Sequence, residues 1–119
     1  MATPVLLICN DLIFSTKIFS TAKAVGVTVQ GVRTLEALRE KLAATPASMV
    51  IVDLNTTLLD PCAAVRAAKE QSAQAHVVAY LSHVQVELAA AAKEAGADTV
   101  LPRSAFSAKL PEILQQSPA

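Results

Sequence analysis

Glycine is scarce in this chain: Gly26, Gly31 and Gly96 are the only three in 119 residues. A dinucleotide fingerprint or a phosphate-cradling P-loop needs several glycines gathered between a strand and a helix, so neither can be built here. A flavin loop of the Ser/Thr-Gly type is likewise missing after the first apolar run. Charge of one sign is lacking too, since ten basic and ten acidic residues cancel. Nothing resembles a basic cluster that could neutralise phosphates, which argues against nucleic acid as a direct partner. The two cysteines, Cys9 and Cys62, have neither metal spacing nor a disulfide framework, and a reducing cytoplasm is expected. Cys9 reads as a buried free thiol. Cys62 falls at a helix start, where a lowered pKa is the minor alternative to an unreactive thiol. His76 and His83 stand in a strand start and a loop, so zinc is not expected, and no Ser/His/Asp or Cys/His order is supported. No apolar stretch reaches the ~20 residues that span a bilayer, which argues against a membrane partner. The N-terminus lacks a basic lead and reads as a first strand, not a signal peptide.

What is present is apolar and rhythmic. Hydrophobic residues make up 53% and charged ones 17%, enough for a real core in one domain covering residues 1–119. Short apolar runs alternate with amphipathic stretches. Val5–Ile8 is the first strand, followed by a helix from about Leu12 to Ala24 with Phe14, Ile18, Ala22 and Val25 on one face and Gly26 at its end. Leu12 and Phe19 lie off that face, as partner surface or peripheral core. Val27-Thr28-Val29 makes a short second strand. Thr34 caps a helix carrying Leu35, Leu38 and Leu42, stopped by Thr45-Pro46. Met49–Val52 is a strand apolar on both faces, suited to the centre of a sheet. Asp60-Pro61 opens the next helix, with Ala64, Val65, Ala68 and Ser72 turned inward. His76–Leu81 is strand four, and Val84, Leu88, Ala91 and Ala95 share a helix face closed by Gly96. Asp98–Leu101 is strand five, and Ser104 or Ser107 starts a last helix with Phe106, Leu110, Ile113 and Leu114.

Five such β-α units predict an α/β fold: a parallel five-stranded sheet of order 2-1-3-4-5 with helices on both faces, flavodoxin-like in plan. In such sheets ligands bind beyond the carboxyl ends of the strands, at the switch point between strands one and three. Asn10-Asp11, Asp53 and Ser82 close the first, third and fourth runs, and Arg103 follows the fifth. Each also has a plainer reading. Asp53 also reads as a loop cap bonded to its own backbone, Ser82 as a helix cap, and Arg103 as an ion-pair partner of Asp11 or Asp53. His83 reads as a solvent-facing loop residue beside the same crevice.

With Asn10, Asp11, Asp53, Ser82 and Arg103 in these places, the chain from Val5 to Leu114 resembles the receiver domains of two-component response regulators. The resemblance implies that Asp53 accepts a phosphoryl group and that magnesium is held by Asp11, Asp53, the backbone carbonyl of Asn55 and, more weakly, Asn10. It implies further that Ser82 and Arg103 contact the phosphoryl oxygens. The chemistry is coherent, because a cation relieves the repulsion between a carboxylate and an anionic phosphodonor. Catalysis would extend no further than phosphorylation and dephosphorylation of Asp53 itself. The implied partners are a histidine kinase or phosphotransfer protein and a downstream protein target, with the chain acting as a monomer or homodimer.

Departures from the family pattern cluster at the same place. Asn10 stands for one of two usual acids, which weakens the metal site. Arg103 replaces a lysine and is followed by Ser104 instead of proline, and the two cations are not interchangeable. Thr57 takes a proline position, and Val100 or Leu101 a switch aromatic. The expectation therefore has two forms: a phosphorylated receiver, or a pseudo-receiver in which Arg103 fills the acidic pocket and the chain binds a protein partner regardless of phosphorylation. A small-molecule enzyme of the same fold is the weaker third form, for want of a second polar cluster.

Overall fold

The computed structural model describes residues 4–44, 49–82 and 85–116. Its elements run β1 (Val5–Ile8), α1 (Leu12–Val25), β2 (Val29–Gly31), α2 (Leu35–Ala44), β3 (Met49–Asp53), α3 (Pro61–Gln71), β4 (His76–Leu81), α4 (Val86–Ala95), β5 (Thr99–Pro102), α5 (Arg103–Ala108) and α6 (Leu110–Gln115). The strands form one parallel sheet in the order β2-β1-β3-β4-β5. This is the predicted α/β plan.

Alternation along the strands divides the core into two layers. Val50, Val52, Val77 and Ala79 pack against Leu38 and Leu42 of α2, Ala64, Val65, Ala67 and Ala68 of α3 and Ala92 of α4. Met49, Ile51, Val78 and Tyr80 face the other way, onto Phe14, Ile18 and Ala22 of α1, Phe106 of α5 and Leu110 of α6. Every residue of β3 is buried, as its position between two neighbours and two helical layers requires. Burying each Val or Ile side chain there contributes about 1.5–3 kcal/mol.

Local signals set most boundaries. Asp11 caps α1 by accepting the Phe14 amide at 3.0 Å, and Thr34 Oγ1 accepts the Ala37 amide at 3.0 Å ahead of α2. Asp60 accepts the Cys62 and Ala63 amides at the start of α3, behind Pro61. Gly26 and Gly96 close α1 and α4 at φ 77° and 119°, a region that side-chain-bearing residues avoid.

Three expectations are corrected. β2 begins at Val29, two residues late, because the Val27 amide turns back to the Ala22 carbonyl at 2.8 Å to finish α1. The last helix begins at Arg103 and is split in two at Lys109. Pro111 has no N–H to offer the Ser107 carbonyl, so one continuous helix loses a bond there. Ser72 ends α3 as its C-cap instead of packing within it. Thr45-Pro46, His83 and Val84 lie outside the described residues.

Candidate functional site

Parallel strands bring the candidate residues to one end of the sheet. Asp53 is the last residue of β3, paired with Tyr80 of β4. Asp11 follows β1, Ser82 follows β4 and Arg103 follows β5. The pleat turns Asp53 to the same face as Met49 and Ile51, so its carboxylate enters the layer containing Cys9 and Tyr80. Asp53 is 8% exposed. Its Oδ1 accepts the Asn55 amide at 2.9 Å. Burial pushes its carboxyl above the ordinary range, against the opposing pull of that amide and of Arg103.

Asp11 has the opposite balance. One oxygen caps α1 at Phe14, and the other accepts from Arg103 Nη2 at 2.8 Å. The Phe14 amide and then the guanidinium hold the Asp11 carboxyl below its usual range. Arg103 is fixed on a second side as well, with its Cζ 4.4 Å from the centre of the Phe14 ring. The ion-pair reading of Arg103 is therefore the observed one, with Asp11 as partner.

Asn10 is turned aside, donating through Nδ2 to Thr57 Oγ1 at 2.9 Å. Ser82 does not cap α4: Gln85 occupies that position, and its side chain makes no capping bond. The Ser82 amide and hydroxyl instead donate to Asn55 Oδ1 at 2.7 and 3.1 Å. Asn55 Nδ2 donates in turn to Gln85 Oε1 at 2.8 Å. Asn55 entered the sequence reading for its carbonyl alone, and its side chain proves to be a junction. Its partners lie 27 and 30 residues away, so no local pattern announces them.

Tyr80 was also missed as a site residue. It is buried in β4, stacked on Phe106 with centroids 4.6 Å apart, and packed against Phe14 at 5.1 Å. Its hydroxyl donates to Cys9 Sγ at 3.1 Å. Burial raises both the Tyr80 and Cys9 pKa values, so both stay protonated. β5 carries no aromatic residue, whereas β4 supplies one beneath the site. Cys62 is half-buried, and burial followed by the nearby Asp60 pushes its thiol up. That direction favours the protonated thiol over a reactive thiolate. Leu12 is 80% exposed and Phe19 is 40% exposed, so both belong to the surface of α1.

The donor set bears directly on magnesium. Among the described residues no three His, Cys, Asp or Glu side chains gather as a metal-binding group. Magnesium accepts one or two carboxylates with waters, and both Asp11 oxygens are already engaged, one by the Phe14 amide and the other by Arg103. A cation at Asp11 would therefore compete with Arg103 for that carboxylate.

Comparison with solved structures matches this architecture. Chemotaxis protein CheY4 of Vibrio cholerae superposes with a TM-score of 0.83 at 17% identity, over 99% of this chain and 100% of the other. The fold is that of a receiver domain. A CheY-like receiver from Methanospirillum hungatei gives 0.80 at 13% identity, over 98% and 97% of the two chains. A response regulator from Burkholderia pseudomallei, solved with a phosphorylated aspartic acid and a calcium ion, gives 0.76 at 16% identity, over 96% of this chain and 72% of that one. No family model matches the chain, and no curated protein matches its sequence. The receiver-like backbone is thus retained with a strongly divergent sequence.

Proposed function

We propose that this receiver-like domain is a protein-interaction module of two-component type signalling whose conformation is set from within, independently of phosphorylation. The observation that carries this reading is the Arg103–Asp11 pair at 2.8 Å, with the guanidinium also seated on Phe14. The pair supports this reading because it engages, from within the chain, a carboxylate that a magnesium-assisted phosphoryl transfer would call on. Ser82 and Asn10 support it, since each bonds to a neighbouring loop.

A second reading keeps Asp53 as phosphoacceptor, with Asp11, Asn55, Asn10 and magnesium beneath it and Ser82 and Arg103 at the phosphoryl oxygens. It is favoured by the convergence of Asp11, Asp53, Ser82 and Arg103 on one sheet end. It needs Arg103 to exchange Asp11 for the phosphoryl group. Rapid mass measurement after incubation with magnesium and acetyl phosphate separates the two. The first reading predicts an unchanged mass. Gain of one phosphoryl group in the parent chain, absent from Asp53→Ala, overturns it in favour of the second.

A further inference from the structure

Asn55 makes more hydrogen bonds than its own turn requires. Its amide N–H is tied to Asp53, and its side chain reaches across to both flanks of the turn between β4 and α4. The Ser82 N–H can only donate, so the atom facing it at 2.7 Å must be the carboxamide oxygen. That leaves Nδ2 for Gln85 and requires Gln85 to present its own oxygen. Gln85 is the residue from which α4 starts, and with its side chain spent on Asn55 it gives α4 no capping bond. The start of α4 is therefore tethered to the loop after β3. One side chain thus joins three polar groups, two on Ser82 and one on Gln85, to the turn after β3.

We propose that Asn55 is a positioning residue: through Ser82 and Gln85 its side chain ties the end of β4 and the start of α4 to the turn that follows Asp53. This deepens the phosphorylation-independent reading and rests on it, because Asn55 supplies from within the chain an acceptor for the donors of Ser82. The consequence is a surface at the start of α4 that is organised without an external ligand.

The test compares backbone NMR spectra and amide exchange of the parent chain, Asn55→Ala, Gln85→Ala and Thr57→Ala. Asn55 and Thr57 are exposed, so neither truncation opens the core. Asn55→Ala is expected to speed exchange of the Ser82 amide about tenfold and to shift the amides from Val86 to Ala89. Gln85→Ala, which cuts one arm, moves the α4 amides and spares Ser82. Thr57→Ala alters the same loop and leaves both unchanged. An Asn55→Ala spectrum with Ser82 and α4 as in the parent chain, or the same response in Thr57→Ala, overturns the proposal. No phosphodonor or magnesium is present, so a chain that proves phosphorylatable contradicts the functional reading without touching this result.

Discussion

Asp53 ends a strand buried along its length, and burial raises its carboxyl pKa above the value it has in an unfolded chain. A raised folded value means that the native state binds the proton more tightly than the unfolded state does. Below the ordinary carboxylate range, about pH 4, both states are protonated and no penalty arises. As pH rises through the folded value, holding the charge in the core costs the fold stability. Asp53→Asn is thus expected to be more stable than the parent chain at pH 7, with the gain shrinking towards pH 3.5. Urea midpoints at the two values check this, and an equal difference at both contradicts it. The polar strand ends that reveal Asp53 and Asp11 are legible because an apolar run makes its closing residue conspicuous. Asn55 and Tyr80 are not, because their importance lies in partners 27 and 71 residues away.

Strands and helices with strong local signals were legible for the same physical reason. Apolar runs bounded by caps leave little choice of element, as at β1, β3, α1 and α3. The misplacements occur where two local forces compete. Val27-Thr28-Val29 has β-branched residues suited to a strand, but closing α1 behind Gly26 claims Val27 first. At the C-terminal end the helical spacing of Phe106, Leu110 and Ile113 continues across Lys109, while Pro111 interrupts the hydrogen bonds beneath it. Gly96 offers a test of element geometry. It ends α4 at φ 119°, and an added Cβ would meet the Lys69 Cγ at 2.8 Å. Lys69 is itself held by Asp98 at 3.0 Å and by the Ala75 carbonyl at 2.9 Å. Gly96→Ala is expected to lose about 1–2 kcal/mol from the backbone alone, read as a lower denaturation midpoint with β5 amides most affected. An unchanged midpoint would show that α4 ends by other means.

Across the molecule, the receiver plan was predictable from five repeated units, whereas the state of its site was not. Side chains from four separate loops meet there, and their pairing depends on geometry that no spacing encodes. Arg103 is attracted to Asp11, Asn10 to Thr57 and Ser82 to Asn55, so each of these candidate groups has a partner within the chain. Burial explains why the site's two acids differ: it raises Asp53 at the end of β3, whereas Asp11 is held down first by the Phe14 amide and then by Arg103. Beryllofluoride added with magnesium to isotope-labelled protein, followed by backbone NMR, tests this directly. The internally set module predicts that the amides of Asp53, Ser82 and Arg103 keep their positions, while Arg103→Ala gains a magnesium response at Asp11. Saturable shifts in the parent chain that spread from Asp53 to Ser82 and α4 would contradict it.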